Sequence, residues 1–143
     1  MKYQHVVVWI DHRRATVMHM SLLAPAVAES DAHDLAGEGA EAVLVKSQSP
    51  ARRVHLKAGV RGDGRVPADL PFFDDVARAI AAAQEILVVG PGAAKNEFVH
   101  HLQRRHQTLA KRVVAVETVD HPSERELLAF ARRAFNRIEA LRG

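Results

Sequence analysis

Residues 85–98, EILVVGPGAAKNEF, constrain the chain more than any other stretch. Ile86, Leu87, Val88 and Val89 form an unbroken apolar run, the pattern of a short strand buried on both faces. Gly90-Pro91-Gly92 ends the run, and Ala93, Ala94, Phe98 and Leu102 then fall on compatible helical faces. Strand, tight turn and helix in immediate succession make the core of a βα unit. The leading N–H groups of such a helix point out of the carboxyl end of the strand, where α/β sheets bind ligands. Lys95 falls in the first helical turn, where its charge opposes the helix dipole. A cation there, beside N–H groups with no intrahelical partner, points to an anion site at Gly90, Gly92 and Lys95, with phosphate as a natural ligand. The plainer alternative is a surface lysine costing roughly a few tenths of a kcal/mol.

The flanking sequence supplies the rest of a sheet. His5–Ile10 (HVVVWI) is apolar on both faces and reads as a central strand. Asp11-His12-Arg13-Arg14 is a polar break, and Ala15–Met20 (ATVMHM) is a second strand, close enough to form an antiparallel hairpin. Asp11 suits such a turn through side-chain bonds to its own backbone. Residues 21–39 show no sustained period and read as a loop or short irregular helix. Ala42–Lys46 (AVLVK) reads as an extra short strand, Ser47–Pro50 as a turn, and the alternating Arg52–Leu56 (RRVHL) as the third strand of the main sheet. Lys57–Pro67 (KAGVRGDGRVP) reads as a flexible glycine-rich loop.

Asp69 has the character of a helix N-cap, with Pro71 in the first turn. Phe72, Phe73, Val76, Ala77, Ile80 and Ala83 would give that helix its buried face. A second helix is expected from Gly92 to about His106, and a strand at Arg112–Thr118. Ser123 and Glu126 fit the capping-box pattern at the start of a last helix, whose apolar stripe is Leu127, Leu128, Ala131, Ala134, Phe135, Ile138 and Leu141. Three antiparallel strands followed by two right-handed crossovers predict a single α/β domain. It has a five-stranded mixed sheet, three helices and the element order of the ribonuclease H-like fold.

Composition narrows the function classes. A chain of 143 residues suits one domain, spanning 1–143, with residues 21–49 as a variable loop insertion. There is no cysteine, which excludes disulfides and thiolate metal sites and suits a reducing compartment. The apolar run near the N-terminus is shorter than a signal-peptide core, and no run approaches a membrane span, so a cytoplasmic protein without membrane partners is expected. The net charge is only +3, yet it is unevenly spread. Residues 21–45 carry five acids and no Lys or Arg, whereas residues 51–65 carry Arg52, Arg53, Lys57, Arg61 and Arg65 against Asp63 alone. That asymmetry points weakly to a polyanionic partner.

In this topology the first, fourth and fifth strands lie parallel, so their carboxyl ends converge. Asp11 and His12, Gly90–Lys95, Glu117, Asp120 and His121 then share one rim, a place for a pocket. Two-metal nuclease chemistry is not expected, since Gly90 and Pro91 stand where the fourth strand would need a carboxylate. None of the nine histidines has a recognised metal-ligand spacing; His101 and His106, five apart, would not share a helix face. No metal and no cofactor are expected, and neither a Walker sequence nor a nucleophile elbow occurs.

The residues VVVWIDHRRATV, KAGVRGDGR, ILVVGPGAAKNEF and VETVDHPSERELLAFARRAF resemble a known family. They are similar to small bacterial proteins described as translational machinery proteins, which are related to the middle domain of archaeal and eukaryotic class 1 release factors and of Pelota. The Gly-Pro-Gly with Lys95 and Phe98 is the most specific element. The resemblance implies the same ribonuclease H-like topology and a role at the ribosome. It covers one domain of those factors, without the codon-reading and partner-binding ones. In release factors the equivalent of Lys57–Arg65 carries a Gly-Gly-Gln motif that positions a water at the peptidyl-tRNA ester. Here the loop keeps glycines and basic residues but has no glutamine, the nearest being Gln48. Release-factor catalysis is therefore not expected, and no residue is assigned as catalytic. Pelota-like proteins also lack the motif and still bind ribosomes.

Two readings stay open. One is a translation-associated, non-catalytic module that binds the ribosome, rRNA or tRNA, with Lys57, Arg61 and Arg65 on phosphates and Arg52 and Arg53 extending the patch. The other is a hydrolase of peptidyl-tRNA or another phosphate-bearing ester, with Asp11, His12 and His121 as acid or base at the strand ends. A small-ligand or protein-interaction domain with an anion pocket at Gly90–Lys95 is a third.

Overall fold

Two strands with no polar face form the middle of the molecule. The computed structural model describes residues 4–22, 39–48 and 69–142. In it β1 (His5–Ile10) pairs in parallel with β4 (Glu85–Gly90), from His5 opposite Glu85 to Trp9 opposite Val89. Val6, Val7, Val8, Ile10 and Ile86–Val89 are fully buried, as strands covered on both sides must be. β2 (Arg14–Met20) returns antiparallel along β1, and β5 (Val113–Thr118) runs parallel to β4. The sheet order is β3-β2-β1-β4-β5, the mixed five-stranded, ribonuclease H-like arrangement expected from the element order.

The identity of the third strand differs from the expectation. β3 is Ala40–Lys46, paired antiparallel with β2 from Ala40 opposite Met20 to Lys46 opposite Arg14. It was expected to be a minor extra, with Arg52–Leu56 as the main-sheet strand; residues 52–56 lie outside the described residues. The reason is that β3 is an edge strand. Val43 and Leu44 are about half exposed, so its sequence lacks the alternation of a half-buried strand. Gly39, just before it, sits at φ 75°, a left-handed conformation that suits glycine, and its carbonyl accepts from Ser21 N.

Helices cover both faces. α1 (Leu70–Ala79), α2 (Ala94–Arg105) and the one-turn α3 (Gln107–Ala110) pack on Val6, Val8, Ile10, Ile86 and Val88 through Phe72, Phe73, Val76, Phe98, Leu102 and Leu109. α4 (Glu124–Arg142) covers the other face, where Leu127, Leu128, Ala131, Ala134 and Phe135 meet Val7, Trp9, Leu87 and Val89. Alternate β1 residues thus serve opposite cores, as a period of two requires. The capping box forms as expected: Glu126 N donates to Ser123 Oγ (3.1 Å) and Ser123 N to Glu126 Oε1 (2.8 Å). The apolar stripe of α4 is shorter than expected. Leu141 is 83% exposed, because the last turn reaches the amino ends of the strands, where Arg142 bonds Glu85 (2.7 Å). Among the described residues, no helix is long and apolar enough to cross a membrane.

Candidate functional site

The parallel strands β1, β4 and β5 bring three segments to one rim, as expected. Beyond β1, Asp11 Oδ1 accepts from Arg13 N (2.8 Å) and Arg14 N (2.9 Å), while Asp11 N donates to Arg14 O (3.0 Å). Asp11 therefore builds the hairpin turn, the role that its side chain suits. Beyond β4, Val119 N donates to Gly90 O (3.0 Å), joining the end of β5 to the glycine turn. Gly90 is required by close packing: a Cβ there would lie 2.2 Å from the Ile10 carbonyl oxygen. A Cβ on Gly92 would meet nothing within 4 Å.

The first turn of α2 carries its own electrostatic balance. Ala93 holds the N-cap position and makes no side-chain cap, which leaves the leading N–H groups without that partner. Lys95 is buried rather than a surface residue, at 7% exposure, on the same stripe as Phe98 and Leu102. Its Nζ curls back to donate to Gly92 O (2.6 Å). Glu97 adds a negative charge to the same turn, favourable at a helix N-terminus, and accepts from His12 Nε2 (3.2 Å). His12 thus joins the β1 turn to α2.

Asp120 and His121 stand on the α4 side of the sheet. Trp9 Nε1 donates to the Asp120 carbonyl (2.5 Å), and the Trp9 and His121 rings lie 5.1 Å apart. His121 Nδ1 donates to Asp120 Oδ1 (2.8 Å), forming an exposed Asp–His pair. The adjoining cleft, about 140 Å³, is walled by Trp9, Arg14, Thr16, Leu44, His121 and Glu124 among others. Asp11 and His12 are not among its walls. The sheet edge separates His12, on the α2 side, from His121, on the α4 side. The four residues expected to make one pocket share a rim but not a cavity. Glu117, also expected at this rim, pairs with Arg137 of α4 (3.6 Å).

The same rim holds both flanks of the basic stretch. Ser47 N donates to Arg13 O (2.8 Å), which places the end of β3 beside the β1–β2 turn. Ser47 Oγ in turn donates to Asp69 Oδ2. Asp69 is buried and caps α1 as expected, accepting from Phe72 N (3.1 Å). Arg52, Arg53, Lys57, Arg61 and Arg65 lie outside the described residues, between these two hydrogen-bonded anchors.

One grouping was not expected. The Nε2 atoms of His101 and His106 both donate to Asp74 Oδ1, at 2.7 and 2.8 Å. Their rings are 5.4 Å apart. Hydrogen bonds from His106 and then His101 hold the Asp74 carboxyl below its ordinary value. A continuous helix would separate residues five apart, but α2 stops at Arg105. His106 takes φ −142° and ψ 63°, which turns the chain and brings its ring back to Asp74 of α1. The helix ends about where the sequence places it, without a glycine or proline to mark the stop; the return of the His106 ring to Asp74 is the part with no sequence signal. His101 follows Phe98 on the buried stripe, 5.6 Å from the Phe73 ring.

Comparison with protein-family models finds no match, nor does comparison with curated proteins. Solved structures do match. Pelota of Archaeoglobus fulgidus is 19% identical, with a TM-score of 0.59, over 96% of this chain and 33% of that one. Pelota of Thermoplasma acidophilum is 16% identical, with a TM-score of 0.56, over 90% of this chain and 32% of that one. The chain thus spans about a third of the length of these proteins. Over nearly all its length it has the fold of one part of Pelota.

Proposed function

We propose that this protein is a translation-associated, non-catalytic module that binds the ribosome through RNA phosphates. One observation carries the reading: the two anchors of the basic stretch, Ser47 and Asp69, meet at the rim where α2 begins. Arg52, Arg53, Lys57, Arg61 and Arg65 fall in sequence between those two anchors, and α2, whose N-terminus has no side-chain cap, begins at the same rim. Phosphate contacts from such a stretch give affinity with little sequence choice. Gly90, Gly92 and Lys95 form a secondary phosphate contact at the α2 turn, since the Lys95 ammonium has donors beyond the one used by Gly92. The family resemblance supplies the ribosome as the RNA, and the Pelota-like fold is consistent with it.

Sedimentation with ribosomes at low and high salt tests the proposal. Wild-type protein is expected in the ribosomal fraction at low salt and released at high salt. Arg61→Ala/Arg65→Ala is expected to bind more weakly, with a log–log salt slope shallower by roughly 2, one phosphate contact per arginine. Wild-type protein absent from ribosomes at low salt would sink the reading.

The hydrolase reading has one feature in its favour, the Asp120–His121 pair beside the Trp9 cleft. Asp11 is engaged by two backbone N–H groups of its own turn, which argues against its use as a base. Peptidyl-tRNA cleavage by the pure protein, lost in His121→Ala, would replace the binding proposal with this one.

A further inference from the structure

We infer that Asp74, His101 and His106 form a binding site for one zinc-class divalent metal ion. Zinc is held by imidazole nitrogen and carboxylate oxygen, and three protein ligands with a fourth position left to water is an established arrangement. Here three such donors, from α1, from α2 and from the residue that ends α2, lie within 4.8 Å of one another. Two neutral nitrogens and one carboxylate suit a borderline ion over calcium or magnesium, which prefer oxygen.

The distances decide how much must move. In a tetrahedral site with bonds near 2.0–2.1 Å, adjacent donor atoms stand about 3.4 Å apart. The present separations of 2.7 and 2.8 Å are those of direct hydrogen bonds. Admitting the ion opens them by about half an ångström and exchanges the tautomer, each imidazole moving its proton to Nδ1 so that the Nε2 lone pair faces the metal in place of the N–H that donates to Asp74. The two partners that can yield are at the surface: Asp74 is 38% and His106 30% exposed, against 5% for His101. His101 is the fixed ligand, packed against Phe73, and the other two close on it. The accessible side supplies the fourth position. His101 also lines a cleft of about 510 Å³ with Leu70, Phe73, Glu97, His100 and Arg104, whose walls include neither Asp74 nor His106.

A second cluster, His5, Glu85 and Glu139, is a poorer candidate. Its Glu85 already pairs with Arg142 at 2.7 Å, a cation that opposes a metal ion.

The ion would fasten α1 to the end of α2, and α1 follows directly from the Asp69 anchor of the basic stretch. Metal bound to the folded state alone therefore stabilises it.

The test is titration of the metal-free protein with Zn²⁺, followed by calorimetry, and with Co²⁺, followed by its visible absorption. One saturable equivalent is expected, with Co²⁺ bands of tetrahedral intensity and a raised unfolding midpoint. His106→Gln and Asp74→Asn, both at partly exposed positions, are each expected to weaken binding roughly tenfold or more, and to reduce the rise in midpoint accordingly. His100→Gln, a neighbouring histidine outside the cluster, is expected to bind as wild type. Folding of each variant is checked by its metal-free midpoint. The inference is overturned if wild type binds no saturable equivalent, if His106→Gln and Asp74→Asn bind as tightly as wild type, or if His100→Gln weakens binding as much as they do.

Discussion

The rim of the sheet and the α1–α2 face use the same residue types in opposite ways. At the rim, four polar side chains serve backbone groups: Asp11 the hairpin amides, Lys95 the Gly92 carbonyl, Asp69 the start of α1, Trp9 the Asp120 carbonyl, while the side-chain pairs there, such as His12–Glu97 and Asp120–His121, stay two-membered. On the helical face, Asp74, His101 and His106 come from separate turns and bond one another. The first pattern makes a platform held together by its own backbone contacts. The second makes a convergent donor set. That difference is why phosphate binding is argued at one place and metal binding at the other.

The largest expected effect tests the rigidity of the platform. Gly90→Ala puts a Cβ against the Ile10 carbonyl, a backbone atom that cannot rotate away. The β1–β4 ladder must shift, at a cost of about 3 kcal/mol. Denaturant unfolding measures it, and an unchanged midpoint would show that the rim is softer than its contacts imply.

The second experiment sets one aspartate against another. Asp74→Ala leaves the buried His101 without its acceptor and is expected to cost about 2 kcal/mol. Asp11→Ala removes two bonds to exposed turn amides and is expected to cost about 1 kcal/mol. Equal losses would erase the distinction between a side chain that organises its own turn and one that joins two helices.

These contrasts also explain what could be read without coordinates. The βα unit at 85–98 was legible because burial on both faces leaves an unbroken apolar run, and because turn chemistry at Gly90–Gly92 is local. The caps at Asp69 and Ser123–Glu126 were legible for the same reason: donor and acceptor are three residues apart. β3 was misjudged because an edge strand with exposed Val43 and Leu44 obeys no burial period. The division of the rim by the sheet, with His12 to one side and His121 to the other, depends on side-chain direction at the ends of β1 and β5. The end of α2 near His106 was legible, but the Asp74 cluster depends on His106 turning back toward α1, which single-residue preferences do not specify.

The smallest expected effect on stability is the sharpest probe of the rim. Gly92 has no positive φ, and the space around its absent Cβ is empty. Gly92→Ala should therefore change stability by less than about 0.5 kcal/mol, in contrast to its neighbour two residues earlier. Nothing within the fold asks for glycine there. If a phosphate approaches the turn closely, the added methyl group will meet the ligand instead, and ribosome sedimentation will weaken while the unfolding midpoint stays put. Undiminished sedimentation would remove Gly92 from the proposed phosphate contact and leave the proposed binding to Arg52, Arg53, Lys57, Arg61 and Arg65.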